Sequence, residues 1–244
     1  MKQSIFTIKS NEKLTDSVCK MVLAGDTSAI TASGQFVNIQ LKGFFLRRPI
    51  SVCDYDENTL TILYKVVGKG TEAMSKMTPN HKLDVLTGLG NGYDTSVSGD
   101  KPLLIGGGVG VPPMYRLAKN LIAEGKHPVV ILGFNTAAEV FYKEEFEKLG
   151  VEVHVATADG SVGTKGFVTD VVKTIPDYTY FYTCGPEPML KALSDVTTTS
   201  GQLSFEERMG CGFGACMGCS CQTKYGNKRI CKDGPVLVKE EIIW

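Results

Sequence analysis

The segment LLIGGGVGVPPM, residues 103–114, joins an aliphatic run to a glycine-rich turn and then to two prolines. A short aliphatic run bounded by glycine is typical of a buried strand, and proline is favoured in the first turn of a helix. This order predicts a strand–turn–helix junction, where free backbone N–H groups can bind a nucleotide phosphate. The match to G-x-G-x-x-G is incomplete because Pro113 takes the last glycine position. A turn that binds nothing is the alternative; the junction favours a nucleotide site at Gly106, Gly107, Gly108 and Gly110.

Strands and helices alternate along the chain after this turn. Apolar residues recur at helical spacing, and short runs rich in β-branched and aromatic residues separate the helical patterns. This alternation predicts a parallel sheet covered by helices. The predicted domain starts after the polar segment at residues 99–102. The predicted strands are 103–105, 129–132, 151–156 and 178–183, and the predicted helices are 114–122, 139–149, 166–175 and 186–196.

A second glycine–proline turn, Cys184-Gly185-Pro186, follows the last of these strands. Because the carboxyl ends of parallel strands share one edge of a sheet, both turns are expected to line one crevice. Such a crevice suits an extended ligand with a phosphate at one end and a ring at the other. Cys184 either contacts that ring or is a small buried residue of the crevice wall.

The N-terminal part of the chain has the pattern of an antiparallel barrel or sandwich. Short runs at residues 4–9, 18–23, 36–41 and 59–67 are rich in strand-forming residues and separated by turn residues. The chain of 244 residues is therefore predicted to be a multi-domain α+β protein. The expected units are a barrel at 1–99, an α/β domain at 100–200 and a Gly/Cys-rich segment at 201–244.

Polar residues in the barrel region form two weaker candidate sites. Arg48 and Ser51 are three residues apart in an extended segment. The guanidinium and the hydroxyl are therefore candidates to bind one anionic ligand. Thr71 precedes a short helical run and is predicted to cap it, which exposes amides suited to a pyrophosphate. Taken alone, these residues are better explained as a surface arginine pair and an ordinary helix cap.

The C-terminal segment carries the most specific pattern, Cys211-x4-Cys216-x2-Cys219-x11-Cys231. This is the spacing of four thiolates around a plant-type [2Fe–2S] cluster. Glycines between the cysteines permit unusual backbone dihedrals and close approach to an inorganic core. Structural zinc also takes four thiolates, but it usually shows two separated C-x2-C pairs, and this chain has one. Disulfides are the third alternative.

A hairpin is predicted to return the fourth cysteine to the loop. Gly226-Asn227 is a two-residue turn signal, which pairs Tyr225 with Lys228 and places Cys231 opposite Gln222. In that register the neighbouring Cys221 points to the other face of the hairpin and is left out of the ligand set. A shift of one residue would reverse the choice.

Composition and charge exclude several classes of function. The 26 basic and 26 acidic residues cancel, so neither a nucleic-acid surface nor a polybasic membrane patch is indicated. The N-terminus lacks a signal-peptide core and no apolar run is long enough to span a bilayer, so the expected location is the cytoplasm. The three histidines, His81, His127 and His154, are too scattered to suggest a catalytic group, and no nucleophile–base pair is evident.

The end of the second α/β strand bears on the choice of nucleotide. A 2′-phosphate would need arginine or lysine near Gly133-Phe134-Asn135-Thr136, and none occurs before Lys143. This favours NAD(H) over NADP(H).

Together the segments resemble the ferredoxin-reductase-like flavoproteins, and most closely the electron-transfer subunits of B-type, NAD-dependent dihydroorotate dehydrogenase. The resemblance covers essentially the whole chain, and its most specific part is the cysteine segment. Ile50 departs from the wider superfamily, in which an aromatic residue usually stands between the motif arginine and serine. The matching motifs are Arg48-Pro49-Ile50-Ser51, Leu63-Tyr64-Lys65, Gly70-Thr71, Cys211-Gly212-x-Gly214-x-Cys216-x-x-Cys219 and Cys231-x-Asp233-Gly234-Pro235-Val236.

The resemblance implies an oxidoreductase subunit with FAD, a [2Fe–2S] cluster and NAD(H) as substrate. It implies a partner subunit that oxidises dihydroorotate on FMN, an assembly of two copies of each subunit, and a role in de novo pyrimidine (UMP) biosynthesis. Related subunits of ferredoxin, transhydrogenase or sulfite reductase systems, and a zinc-stabilised nucleotide-binding module, are the alternatives. The residues implied are Arg48, Pro49, Ile50, Ser51, Leu63, Tyr64, Lys65, Gly70 and Thr71 for FAD; Gly106, Gly107, Gly108, Gly110, Cys184, Gly185 and Pro186 for the nicotinamide nucleotide; and Cys211, Cys216, Cys219 and Cys231 for the cluster.

Overall fold

A computed structural model describes residues 1–244 of the chain. Its N-terminal part is a closed antiparallel barrel with the strand order β1-β2-β5-β4-β3-β6. The elements are β1 (Lys2–Lys13), β2 (Val18–Ala24), β3 (Phe36–Gln40), β4 (Arg48–Tyr55), β5 (Thr59–Lys65), α1 (Lys69–Ser75) and β6 (Lys82–Leu89).

The barrel closes because alternate residues of its strands are apolar. Along β2 and β5 the directly opposed pairs include Met21 with Ile62 and Leu23 with Leu60, and all four side chains are fully buried. A period of two places every such residue on one face, which becomes the barrel interior. The predicted antiparallel N-terminal unit is confirmed, and of its two forms the chain adopts the barrel.

The α/β domain follows the barrel and contains a seven-stranded sheet in the order β10-β9-β8-β7-β11-β12-β15. All neighbours in the sheet are parallel except β15, which is antiparallel to β12. Helices cover the sheet, as the alternation predicted. The elements are β7 (Pro102–Gly107), α2 (Val111–Ala123), β8 (Val129–Phe134), α3 (Lys143–Glu147), β9 (Glu152–Thr157), β10 (Thr164–Lys165), α4 (Val168–Val172), β11 (Tyr180–Cys184), α5 (Glu187–Val196) and β12 (Gly201–Ser204), with β13 (Ser220–Thr223), β14 (Gly226–Arg229) and β15 (Val236–Val238) after them.

The C-terminal segment is integrated into this sheet. β12 and β15 are its last two strands, and the chain between them carries the cysteines and the separate β13–β14 hairpin. The segment also packs on the barrel, because Cys219 and Cys231 share an apolar cluster with Phe36 and Leu89. The cysteine segment therefore contacts both larger units. None of the helices combines the length and apolar character needed to cross a membrane.

Helix α2 joins the α/β domain to the barrel. The Asp54 carboxylate of β4 pairs with Arg116 at 3.1 Å and with Lys119 at 2.7 Å, both on α2. The Arg116 guanidinium also lies 4.1 Å from the centre of the Tyr55 ring. Below these ion pairs, Cys53 belongs to the same buried cluster as the apolar residues of α2. The contacts between α2 and β4 thus hold the barrel and the α/β domain together.

Candidate functional site

A cavity of about 520 Å³ lies at the carboxyl edge of the parallel sheet. The structure brings both predicted glycine turns to it, since Gly107, Gly108 and Gly110 line one side and Gly185 and Pro186 the other. Their strands are neighbours, with Cys184 of β11 opposite Gly106 of β7. Parallel α/β sheets bind nucleotides at this edge.

The two turns touch at Gly110. A Cβ at this position would lie 2.1 Å from the carbonyl oxygen of Cys184 and 2.7 Å from the backbone nitrogen of Gly185. Gly106 is equally confined, because a Cβ there would lie 2.7 Å from the Cα of Val111. These glycines are needed for the close approach of strand, turn and helix at the edge of the cavity.

The side chain of Cys184 is buried beneath the cavity. The residue is 2% exposed and does not line the cavity, and burial raises the pKa of its thiol to about 12. The thiol is therefore neutral at physiological pH. This placement agrees with the interpretation of Cys184 as a small buried wall residue, and contact of its side chain with a bound ring stays a prediction.

Two acidic residues at the cavity were missed by the sequence reasoning. Glu139 follows β8 and accepts hydrogen bonds from the backbone N–H (3.2 Å) and the side-chain amide (2.9 Å) of Asn135. Glu206 follows β12. A carboxylate near the end of the second strand suits a ribose hydroxyl and repels a 2′-phosphate, which supports NAD(H). The spacing of Glu139 from the strand was a visible signal, whereas Glu206 required knowledge that β12 joins the sheet.

The barrel contributes to the same cleft through β5. Lys65 is exposed and lines the cavity, and Leu63, two residues earlier, packs into the cluster shared with α2. Tyr64 points the other way, into the barrel, where its hydroxyl donates to Oδ1 of Asn11 at 2.8 Å. Tyr64 can therefore face a ligand in the cleft only through its backbone.

Arg48 and Gly70 are brought together at one end of the barrel. A Cβ on Gly70 would lie 2.1 Å from Nε of Arg48, so only glycine lets the guanidinium lie across the first turn of α1. The guanidinium also lies 4.9 Å from the centre of the Phe44 ring. The pair supplies a fixed cation beside backbone amides, which is the chemistry that a pyrophosphate requires.

The strand geometry argues against binding of one anion by both Arg48 and Ser51, and the role of each residue in a ligand site stays a prediction. Both lie in the regular part of β4, paired with Ile39 and Phe36 of β3. An odd spacing in a strand directs side chains to opposite faces. Arg48 therefore lies on the side of Ile50, which packs towards the barrel core. Pro49 and Ser51 face the other side, so the four residues can meet only different parts of an extended ligand.

The predicted cap at Thr71 also needs correction. Helix α1 begins at Lys69 with Gly68 as its N-cap, so Thr71 lies within the first turn. Its hydroxyl oxygen accepts hydrogen bonds from the backbone N–H groups of Val67 (3.0 Å) and Gly68 (3.2 Å). The side chain folds back on the turn before the helix and shapes the backbone around Gly70 and Arg48.

The four predicted cluster ligands form two pairs. In the first pair, the Sγ of Cys211 accepts a hydrogen bond from the backbone N–H of Cys216 at 3.4 Å, near the surface. In the second, the Sγ of Cys219 accepts the backbone N–H of Cys231 at 3.4 Å, and both residues are 2% exposed. A [2Fe–2S] cluster needs two thiolates at each iron, and two adjacent pairs meet that requirement.

The backbone of the loop favours the thiolate form of Cys211. Burial acts to raise the pKa of its thiol, but hydrogen bonds from the backbone N–H groups of Phe213, Cys216 and Ala215 and from the side chain of Cys216 lower the pKa to about 6. Gly212 and Gly214 adopt φ values of +79° and +90°, the left-handed region in which glycine is favoured. The loop thus directs N–H donors at sulfur, as an iron–sulfur site does.

The pairing of the four thiols bears on the choice of metal. A single zinc ion takes its four ligands around one point, whereas a [2Fe–2S] cluster takes two thiolates at each iron, which matches the two hydrogen-bonded pairs. All eight cysteines are free thiols, so the disulfide alternative is not supported. The donor set fits two irons, each bound by one pair.

The hairpin exists, but its predicted register is wrong. Thr223 pairs with Gly226 and Cys221 with Lys228, so the two-residue turn is Lys224-Tyr225. The hydroxyl of Thr223 fixes this turn by donating to the carbonyl oxygen of Gly226 at 2.8 Å and accepting the N–H of Tyr225 at 3.2 Å.

The observed register brings the end of β14 back to Cys219. The N–H of Ile230 donates to the carbonyl oxygen of Cys219 at 3.1 Å, which places the adjacent Cys231 beside the cysteine loop. Cys221 is half-buried and lines a separate cavity with Phe205 and Trp244, and its exclusion from the ligand set remains the prediction.

None of the three histidines lines the nucleotide cavity. His81 and His127 are exposed, and His154 forms a 2.7 Å contact with Glu152 on the surface of β9.

Comparisons with known proteins show similarity along the whole chain. Residues 206–243 match the iron–sulfur cluster binding domain of dihydroorotate dehydrogenase B, and residues 104–195 match the oxidoreductase NAD-binding domain. The dihydroorotate dehydrogenase B (NAD+) electron transfer subunit of Fusobacterium nucleatum is 43% identical, with 99% of each chain covered. The corresponding subunit of a Geobacillus species is 41% identical, with 100% of this chain and 99% of the relative covered.

Solved structures agree with these relatives. An NADH-dependent reduced ferredoxin–NADP oxidoreductase, described for flavin-based electron bifurcation, superposes with a TM-score of 0.88 and 28% identity over 98% of this chain and 90% of that one. A ferredoxin NADP+ reductase from Neisseria gonorrhoeae, with bound FAD and NADP, superposes with a TM-score of 0.68 over 85% of this chain and 94% of that one. At 17% identity it shows the fold alone.

Proposed function

Since the chain belongs to the family of dihydroorotate dehydrogenase B (NAD+) electron-transfer subunits, we propose that it carries electrons from dihydroorotate oxidation to NAD+ in de novo pyrimidine biosynthesis. It is an oxidoreductase subunit with FAD, a [2Fe–2S] cluster and NAD(H). The observation that carries the proposal is the presence, in one chain, of the nucleotide cavity and the two cysteine pairs, both packed against the barrel.

The chemistry requires a mediator between two kinds of electron carrier. Bound FAD exchanges electrons singly or in pairs, and so connects the one-electron cluster to the two-electron nicotinamide. The protein supplies binding and orientation. Arg48 and the turn at Gly70 are proposed to hold the flavin's phosphates, and the turns at Gly107 and Gly185 to hold the nicotinamide nucleotide. The barrel residue Lys65 reaches this nucleotide cavity.

The cysteine loop is connected directly to the barrel. The side-chain amide of Asn38 on β3 donates to the carbonyl oxygen of Cys211 at 3.2 Å, and Asn38 is only 1% exposed. A Cβ on Gly212 would lie 2.3 Å from the amide nitrogen of Asn38, so the loop lies tightly on the strand. These contacts hold the Cys211–Cys216 pair against the flavin-binding unit.

The chain works with a catalytic partner subunit, since its relatives are named as the electron-transfer subunits of a dehydrogenase. We further propose that the partner oxidises dihydroorotate on FMN and that two copies of each subunit assemble. The near-surface Cys211–Cys216 pair supports delivery of electrons from outside the chain. Eight free thiols support a reducing compartment, and the proposed location is the cytoplasm.

The test is reconstitution with the FMN-containing catalytic subunit of the same enzyme family. The mixture is expected to reduce NAD+ when dihydroorotate is added, with little reduction by either subunit alone. NADH formation at 340 nm is the measurement. Reduction of ferredoxin by NADH, together with no dihydroorotate-dependent reduction of NAD+, would instead place the chain with its ferredoxin–NADP oxidoreductase relative.

Arg48→Ala is expected to weaken retention of FAD by about tenfold or more, because it removes a charge-assisted hydrogen-bonding group from the turn at Gly70. FAD released per chain on dilution, measured by fluorescence, checks this. Arg47→Ala is the matched control, since the Arg47 guanidinium is occupied by the carbonyl oxygens of Asn38 and Asp84 and by the Asp84 carboxylate. It is expected to lower thermal stability with FAD retained. Unchanged FAD retention in Arg48→Ala would remove Arg48 from the flavin site.

A further inference from the structure

Arg229, at the end of β14, connects the two segments that carry the cysteines. Its Nη1 donates to the carbonyl oxygen of Gly214, between Cys211 and Cys216, at 2.9 Å. Its Nε donates to Oδ2 of Asp233, two residues after Cys231, at 3.0 Å. One side chain therefore ties the loop of the first pair to the turn of the second.

The backbone of Arg229 is fixed as firmly as its side chain. Its N–H donates to Oδ2 of Asp233 at 2.9 Å. Its carbonyl oxygen accepts the N–H groups of Lys232, Asp233 and Gly234 at 3.0, 2.8 and 3.3 Å. These bonds close a tight turn around Cys231 and fix the backbone from which the guanidinium extends to the loop.

The two sides of the Arg229 guanidinium have different partners. Asp233 contacts the Nε side of the guanidinium, through Nε and Nη2, and Nη1 points to the cysteine loop. The guanidinium is thus the member of the pair that contacts the loop between Cys211 and Cys216, and the Asp233 carboxylate lies on its other side.

We propose that Arg229 is a positioning residue that holds the two cysteine pairs in register and places a fixed positive charge beside the cluster, which raises its reduction potential. Reduction adds an electron to the cluster, and a neighbouring cation stabilises the added negative charge. Asp233 acts in the opposite direction by partly neutralising that cation. The inference rests on the proposed function, because it requires the cluster to be present.

The test compares Arg229→Gln, Arg229→Lys and Asp233→Asn in the full chain with FAD and cluster bound. Potentials are measured by anaerobic redox titration followed by electron paramagnetic resonance of the reduced cluster, with iron content per chain determined alongside. Arg229→Gln is expected to lower the ratio of reduced to oxidised cluster at a fixed potential by about tenfold, which is about 59 mV for one electron. Asp233→Asn is expected to raise the reduction potential of the cluster. Arg229→Lys keeps the positive charge, so its potential is expected to lie closer to that of the unmodified chain than to that of Arg229→Gln.

Lys224→Gln is the matched control, because it removes a positive charge from the same hairpin at the β13–β14 turn, where Lys224 contacts the carbonyl oxygen of Glu240. The reduction potential of the cluster in Lys224→Gln is expected to equal that in the unmodified chain. A purely structural role would lower the iron content of both Arg229→Gln and Asp233→Asn, without shifting the reduction potential of the cluster in opposite directions. That result would overturn the proposal. Equal potentials in all variants would do the same. If the unmodified chain binds no iron, the proposed function itself has failed.

Discussion

Replacing Cys219 with serine is expected to remove iron from the chain and to abolish dihydroorotate-dependent NAD+ reduction. Cys219 is buried, pairs with Cys231 and lies in the apolar cluster against the barrel, so its replacement removes one thiolate of that pair. Loss even of a residue that only supports a metal ligand costs about 10–100-fold in metal affinity, and loss of a ligand is expected to cost more. Reduction of FAD by NADH is expected to persist, because the nucleotide cavity does not include Cys219.

Cys221→Ser provides the control for this experiment. Cys221 lies on the same hairpin and is half-buried, but its sulfur takes no part in the hydrogen bonds within the two cysteine pairs. We expect the variant to keep full iron content and full coupling to the partner. Iron analysis and the 340 nm assay are made on both proteins. Full iron content in Cys219→Ser, or loss of iron in Cys221→Ser, would show that the ligand set is assigned incorrectly.

The second large effect is expected from Gly110→Ala. The added methyl group would lie 2.1 Å from the carbonyl oxygen of Cys184, so one of the two nucleotide-binding turns must move. A misplacement of about 1 Å in a binding site can cost about 100-fold in rate. We expect KM for NADH to rise by roughly 10–100-fold, with FAD and iron content retained. Steady-state reduction of an artificial electron acceptor by NADH measures this.

Gly125→Ala separates the steric effect from a general loss of stability. Gly125 follows α2 with φ +78° and has no atom within 4 Å of the position of a Cβ. Alanine there carries only the backbone strain of the left-handed region, about 1–2 kcal/mol, and KM is expected to be unchanged. An unchanged KM in Gly110→Ala would mean that contact between the two turns is not required for nucleotide binding.

The parts of the fold that follow from local patterns could be predicted from the sequence. The strand–turn–helix at Gly106 and the alternation after it predicted the sheet. The content of strand-forming residues predicted a barrel strand at 18–23, which the structure extends by one residue to Ala24. Strand β4 was missed because Arg48 and Pro49 begin it, and polar residues and proline argue against a strand by local criteria. Pairing within the closed barrel decides its structure instead.

Features that depend on long-range contacts could not be predicted. β12 and β15 enter the sheet because they pair with β11 and with each other across the intervening cysteine segment. The hairpin turn shifted because the hydroxyl of Thr223 stabilises a turn at Lys224-Tyr225, against the stronger local signal at Gly226-Asn227. The spacing of the cysteines was sufficient to select the candidate ligands, but their pairing and the contact of Arg229 with Gly214 required the structure.

The visible spectrum of freshly purified, anaerobically handled protein, recorded with metal analysis, tests the central claim most directly. Overlapping flavin and iron–sulfur absorption, two irons and one FAD per chain, and bleaching of both chromophores by NADH are expected. A colourless protein with one zinc per chain, which NADH does not change, would contradict the assignment of the cysteine pairs and of the electron-transfer function.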